Sequence, residues 1–294
     1  MENPRRPPLS IVLATTHAWP VVEACLNRLL PQARAIGAEV IVADGDGGGL
    51  PGDIDGVTRV VLPGASVFAL RAAAAEVAAG DIVAVTEDHC VVGEDWCESI
   101  VAAHRRHPGA GMIGGPVSNG ATRRLSDWAN FLTTFSLFMP PLVQDRGDRV
   151  PPAANVSFKR EVLPESLEDG DLEMAIPARL RAEGRIVMVE GVEVAHVQSH
   201  GLFGTIAAHF HNGRSTAGLG AYRQDRHARR AYRWLLLRVA PRMGTIVLRD
   251  LRRRRTPLRA WLSLPLTGLL IVAHTVGGLI GATWGPGGSP VRLE

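Results

Sequence analysis

Gly80-Asp81-Ile82-Val83-Ala84-Val85-Thr86-Glu87-Asp88-His89-Cys90 decides how this chain of 294 residues is read. Its apolar run predicts a buried strand, and the strand ends abruptly in two adjacent acids and a histidine. Open α/β sheets place their ligand chemistry at strand ends of this kind. Two acids and an imidazole there suit a divalent cation and, through it, a phosphate. The competing reading is a solvated strand-to-helix turn in which Glu87 or Asp88 caps the next helix. The segments on either side bear on the choice.

Upstream, strand and helix patterns alternate. Residues 9–14 are an apolar run ending in the polar turn Thr15-Thr16-His17, and residues 22–36 have helical spacing with Gly37 placed to stop them. Residues 39–43 predict a second strand, which runs into Asp44-Gly45-Asp46-Gly47-Gly48-Gly49. No G-x-G-x-x-G opens a helix there, so the dinucleotide fingerprint fails. What remains is a carboxylate on a flexible turn, suited to a ribose or base, or else a plain acidic turn. Residues 57–62 predict a short third strand, and residues 68–79 an Ala-rich helix that carries Arg71 and stops at Gly80. Such alternation predicts an α/β fold with a mostly parallel sheet flanked by helices.

Taken in order, these pieces resemble the nucleotide-binding half of a family-2 glycosyltransferase of the GT-A fold, over roughly residues 8–215. Thr15-Thr16 stands at the family's threonine turn, and Val42-Ala43-Asp44-Gly45-Asp46 at its strand into an acidic turn. Ala69-Leu70-Arg71-Ala72 matches its Ala-Arg-Asn helix start at the arginine and the surrounding alanines. Glu87-Asp88-His89 falls at the metal-binding D-x-D motif, followed by Cys90-Val91-Val92 and a helix from Asp95-Trp96. Gly114-Gly115-Pro116-Val117 looks like the strand after that helix, and Asn155-Val156-Ser157-Phe158-Lys159-Arg160 like the segment that returns to the acceptor side. The resemblance implies a metal-assisted, inverting transfer from a nucleotide-sugar. It assigns Thr15, Asp44, Asp46, Arg71, Glu87 and Arg214 to the donor, and Asp88, His89 and His196 to a manganese or magnesium ion. His89 departs from the family's usual aspartate, although histidine ligates manganese. Ala72 replaces the family's asparagine and removes a polar donor contact.

An inverting transfer needs a base for the acceptor hydroxyl. The family places it before a helix ending in Arg-Leu and Gly, which here is Arg179-Leu180 and Gly184. Ungapped alignment on Arg179-Leu180 puts Glu173 at the base position, with Asp171 and Asp169 as runners-up. The plain alternative is that Asp171 caps the helix and its neighbours favour the helix dipole. Residues 185–189 and 192–194 predict strands leading to His196. Downstream, His209-Phe210-His211-Asn212-Gly213-Arg214 resembles the Gly-Arg segment of membrane-associated members, so that Arg214 would neutralise the leaving diphosphate, or else bind only the sheet edge or lipid. Trp128, Phe131, Leu132 and Phe135 have the spacing of a core helix, or of an acceptor or membrane-docking surface.

Composition divides the chain. Residues 222–259 hold 13 arginines and two acids, Asp225 and Asp250, which leaves 19 basic and 27 acidic residues elsewhere. An acidic body with a basic tail calls for an anionic partner. Residues 260–284 contain no Asp, Glu, Lys or Arg and are long enough to cross a bilayer. A buried core helix and a re-entrant or interfacial hairpin are the alternatives. Arginines interleaved with Trp234, Leu235, Leu236 and Leu237 favour an anionic membrane surface over nucleic acid, and the arginines preceding the apolar run keep the body cytoplasmic. The polar segment 1–8 is no secretory signal. Cys25, Cys90 and Cys97 form no CxxC pair and suit a reducing compartment.

The expected organisation is a GT-A-like domain over residues 1–215 and a membrane-associated helical tail over 216–294, with a lipid-linked or envelope-glycan acceptor. A nucleotidyltransferase on a related α/β fold and a catalytically degenerate membrane scaffold are the rival readings.

Overall fold

The alternation appears as expected in the computed structural model, which describes residues 6–17, 19–46, 49–143, 149–198 and 200–293. The first five residues of the polar N-terminal segment, and Gly47 and Gly48 of the acidic turn, lie outside them. In chain order come β1 (Ser10–Thr15), α1 (Trp19–Ile36), β2 (Glu39–Asp44), β3 (Val57–Val61), α2 (Val67–Val77), β4 (Ile82–Glu87), β5 (Cys90–Val92) and α3 (Trp96–Arg106). Next are β6 (Met112–Gly114), β7 (Val117–Asn119), α4 (Leu125–Phe135), β8 (Asn155–Lys159), α5 (Ile176–Ala182), β9 (Ile186–Met188) and β10 (Val194–His196). The chain closes with α6 (Leu202–Leu219), α7 (Arg226–Arg254), α8 (Leu258–Leu262) and α9 (Leu264–Trp284). They divide into two units, one of Met1–Ser118 with Leu142–His196, the other of Asn119–Pro141 with Val197–Glu294.

In the first unit, the described strands form a seven-stranded sheet of order β3-β2-β1-β4-β8-β6-β9 and a three-stranded one of order β5-β10-β7. β3, β2, β1 and β4 run parallel, β8 is antiparallel to β4 and β6, and β9 returns parallel to β6. Every residue of β1 is buried, as a strand covered on both faces requires. Alternate residues Val12, Ala14, Ile41, Ala43, Val83 and Val85 share one core with Leu70 and Ala74 of α2 and with Ile176 and Leu180 of α5. The sheet is thus clamped where α2 and the segment before α5 must carry their polar groups to its carboxyl end. Gly37 ends α1 at φ 68°, a left-handed conformation open to glycine without Cβ strain.

Several expectations are corrected. Glu87 and Asp88 cap no helix, because β5 intervenes before α3. The helix expected to reach Ala79 ends at Val77; Ala78 is extended, and a Cβ on Gly80 would lie 2.6 Å from the Ser10 nitrogen. The strand expected around Gly114–Val117 is two strands in two sheets, broken at Gly115, where a Cβ would strike the Val192 carbonyl oxygen at 1.5 Å. His196 lies within β10 rather than after a strand. Asp171 is not a cap: it opens a π-helical turn, Asp171–Ala175, and its carboxylate accepts the Glu168 backbone N–H at 2.9 Å.

The second unit begins after His196, not at residue 216, and includes α4, whose Trp128, Phe131, Leu132 and Phe135 are buried as core spacing predicts. α6 and α9 cross at bare backbone. A Cβ on Gly213 would stand 2.1 Å from the His274 carbonyl oxygen, one on Gly277 2.0 Å from that of Phe210, and one on Gly281 2.2 Å from that of Arg214. The apolar segment is two helices, α8 and α9, and among the described residues α9 alone reaches, by length and composition, the dimensions of a membrane span.

Candidate active site

The parallel register places three strand ends side by side. Thr15 pairs with Asp44 on β2, and Ala14 pairs with Glu87 on β4. Residues just past the strands therefore meet at the carboxyl edge of the sheet, where β-strand alternation ceases and side chains can converge.

Two histidines and a carboxylate converge there. His89 Nε2 lies 3.0 Å from His196 Nε2, and Glu87 Oε2 lies 3.4 Å from each. β10 brings His196 into place by pairing it with Cys90 of β5. The supporting bracket is Asn155, whose buried side chain donates to the carbonyls of Pro116 at 2.9 Å and Val192 at 2.7 Å while accepting from Trp96 Nε1 at 3.0 Å.

Asp88 serves the other side of His89. Its Oδ1 lies 2.8 Å from His89 Nδ1, and its Oδ2 accepts from Thr15 Oγ1 at 2.5 Å and faces His17 Nδ1 at 2.9 Å. An ionised carboxylate only accepts, so His89 carries its proton on Nδ1 and, when neutral, presents a lone pair on Nε2. Carboxylate–histidine pairs of this kind orient metal ligands. Glu87 Oε2 thus faces the two Nε2 atoms, while Asp88 buttresses His89 from its Nδ1 side. Asp88 also forms a second group of possible ligands with His17 and His89.

Electrostatics follow from this packing. Burial works against the Glu87 charge, but hydrogen bonds from His196 and His89 with the charge of Arg71 hold its carboxyl well below the usual range. Burial also opposes the Asp88 charge, which the hydrogen bonds of His17 and His89 more than restore, so its pKa is lowered. Burial would lower His89, yet hydrogen bonding to Asp88 and Glu87 lifts it to about 9. The cluster is built to hold positive charge, whether a proton or a cation. Three donor atoms 3.0–3.4 Å apart have the spacing of neighbours around a small divalent ion with bonds of about 2.1 Å.

Arg71 links this cluster to the expected base. From α2 its Nη2 reaches Glu87 Oε1 and its Nη1 reaches Glu173 Oε1, each at 3.1 Å. Burial disfavours the guanidinium charge, and the Glu173 and Glu87 carboxylates outweigh it, raising the pKa. Glu173 sits in the π-helical turn. Burial raises its pKa despite Arg71, and its Oε2 is buried with no hydrogen-bond partner among the described residues.

The remaining expected residues fall elsewhere. Asp44 is buried and ion-paired with Arg59, and its Oδ1 accepts the backbone N–H of Asp46 at 2.9 Å. Asp169 accepts from Ser66 Oγ at 3.4 Å, at the N-cap of α2. Arg214 belongs to the second unit, where its Nε donates to the Gly285 carbonyl at 3.3 Å. The sequence reading assigned no role to His17 or Arg59. His17 had a signal, standing two residues past a strand end that the parallel register sets beside Asp88; Arg59 had none.

No family model matches the chain, and no curated protein matches it. Solved structures do match. S. aureus TarS, residues 1–349, covers 92% of this chain and 90% of its own at 10% identity and a TM-score of 0.45. The mannosyltransferase PcManGT from Pyrobaculum calidifontis, solved in complex with GDP-Man and Mn2+, covers 96% of this chain and 88% of its own, at 17% identity and a TM-score of 0.57. The expected α/β fold, a mainly parallel sheet flanked by helices, is thus similar to that of a known glycosyltransferase.

Proposed function

We propose that the chain is a glycosyltransferase that moves a sugar from a nucleotide-sugar to an acceptor hydroxyl with inversion, assisted by a divalent cation. The observation that carries this reading is the joint placement of a cation-holding cluster and a buried, unpartnered carboxylate oxygen, bridged by one guanidinium at the carboxyl edge of a parallel sheet. The nucleotide-sugar and manganese named for PcManGT support the donor class.

Glu87, His89 and His196 would hold the cation, with Asp88 orienting His89. A bound divalent cation supplies charge that neutralises the leaving diphosphate. Two imidazole nitrogens favour manganese over magnesium, which prefers oxygen donors. Asp44, fixed by Arg59, with Thr15 and Asp46 beside it, belongs to the nucleoside side. Arg71 acts on the donor indirectly, by fixing Glu87, and holds Glu173 by Oε1 so that Oε2 is left to accept a proton. As the acceptor hydroxyl forms its bond to the anomeric carbon, its proton passes to Glu173. The bond from that carbon to the diphosphate breaks, and the nucleoside diphosphate leaves with the electron pair. The acceptor is a lipid-linked sugar or envelope glycan presented at the cytoplasmic face of a membrane.

The test is thermal-shift screening of nucleoside diphosphates with and without manganese, followed by turnover of the matching nucleotide-sugar. Stabilisation that needs both partners, and release of nucleoside diphosphate, are expected. Glu173→Gln keeps donor binding and loses turnover. Release of pyrophosphate, or absence of any nucleotide-dependent stabilisation, would overturn the reading.

A further inference from the structure

Among the described residues of its unit, the outer face of α8 and α9 has no partner. Leu262, Pro265, Leu269, Val272 and Val276 recur at intervals of three and four residues, and all are exposed, Val272 to 57%. Such spacing is one helical stripe. Between Ala260 and Trp284 the exposed residues carry no charge, and Trp284 ends the stripe 71% exposed. A contiguous apolar face of this kind marks an interaction surface.

Charge identifies the occupant. α7, which packs beside α9 through Leu236 against Gly278, exposes Arg226, Arg230, Arg238, Arg242, Arg249, Arg252 and Arg253, with Trp234, Leu235 and Leu237 about half exposed among them. Its one acid, Asp250, is buried and paired with Arg254. A cationic helix with exposed Trp and Leu beside an uncharged apolar stripe suits an anionic lipid surface, where arginine stems and indoles sit at headgroup level. A second copy of the same face would set these arginines against one another.

The crossing of α6 and α9 decides how that surface is met. Gly213, Gly277 and Gly281 put the two backbones in direct contact, and α6 carries His209, His211, Asn212 and Arg214 over the same turns. If α9 crossed a bilayer it would drag the exposed Asn212 and the part-exposed His211 and Arg214 into hydrocarbon, while His209 stays buried against Asn130. We infer that α7 and α9 dock this chain in the plane of an anionic membrane by the Leu262–Val276 stripe and the α7 arginines, and that α9 does not span. This specifies the membrane part of the function proposed above and does not depend on the transfer chemistry, so vesicle binding and nucleotide binding fail separately.

The experiment is flotation of the full chain with vesicles of phosphatidylcholine alone or of an equimolar phosphatidylcholine–phosphatidylglycerol mixture, followed by alkaline carbonate extraction. Binding to the anionic vesicles at least about tenfold above the neutral ones, weakened by salt and released by carbonate, is expected. Leu269→Asp with Val272→Asp, both on the exposed stripe, should abolish binding while leaving the helical circular dichroism and any manganese-dependent nucleotide stabilisation unchanged. Three results would overturn the inference: resistance to carbonate, equal binding by the double variant, or a solution dimer that the double variant dissolves while wild-type protein ignores vesicles.

Discussion

Asp88→Asn tests the division of labour between the two acids. The carboxylate serves three donors, Thr15 Oγ1 and His17 Nδ1 on Oδ2 and His89 Nδ1 on Oδ1. A carboxamide of the same shape has one oxygen, so it cannot serve both sides. With its oxygen toward Thr15 and His17, the amide nitrogen faces His89 Nδ1, and His89 must move its proton to Nε2. That nitrogen then donates toward Glu87 and His196 instead of presenting a lone pair, and one of the three proposed ligands is lost. With the amide reversed, Thr15 and His17 lose their acceptor and the strand-end packing loosens. Changes to partners that orient metal ligands cost about 10–100-fold in metal affinity, or about 1.4–2.7 kcal/mol. Isothermal titration of the purified protein with manganese measures this directly, with circular dichroism as the check on folding. Glu87→Gln, which alters a donor facing the cluster, should cost at least as much. A folded Asp88→Asn protein binding manganese within about twofold of wild type, well below that loss, would refute the buttressing role.

Arg71→Met removes the charge between Glu87 and Glu173, leaving Glu173 buried without its cation while Glu87 keeps His89 and His196; a loss of about 3–5 kcal/mol in urea unfolding is expected, and a loss below about 1 kcal/mol would show that water enters the site. His104 is buried against Ser157 Oγ at 2.9 Å, and burial, with the charges of Lys159 and His107, lowers its pKa from 6.5 to about 4. The unfolded chain therefore takes up the proton first, so stability is full above pH 6.5 and falls as pH drops toward 4, by at most about 3 kcal/mol. Denaturation at several pH values should show this slope, and His104→Gln should reduce it, with the part due to His209, lowered to about 3 by burial, remaining. Gly115→Ala sets a Cβ 1.5 Å from the Val192 carbonyl oxygen and 2.8 Å from Asn155 Nδ2, at the bracket before His196. A loss of about 3 kcal/mol and weaker manganese binding are expected. Gly191→Ala, which meets nothing within 4 Å, should stay within about 0.5 kcal/mol of wild type.

β1, β2 and β4 were legible because both faces of them are largely buried and each therefore reads as a mostly apolar run, as at residues 9–14 and 39–43. Boundaries governed by close contact were not. Nothing in Ala78-Ala79-Gly80 signals that the helix must stop at Val77, because the reason is the Ser10 backbone of another strand. The break at Gly115 is equally remote in origin, being set by Val192. The second unit hid its extent for a similar reason: α4 joins helices that begin some seventy residues later, and its core spacing alone does not say which core it enters.

In the candidate site, which residues belong could be read more readily than what each does. Alternation along β4 puts Glu87 on the same face as Val83 and Val85, which pack against α2, and so sends it toward Arg71. Asp88, one residue later, turns to the opposite side, where Thr15 and His17 stand at the end of β1. The period of two already separates the acids on either side of the strand end. His17 follows from the same logic: a polar residue two positions past a buried strand must find a partner at the sheet's carboxyl edge. The parallel neighbour of β1 on that side is β4, which ends in acids. Strand alternation carried past the last apolar residue, on both neighbouring strands together, therefore pairs His17 with Asp88 and sets Glu87 toward His89 and His196.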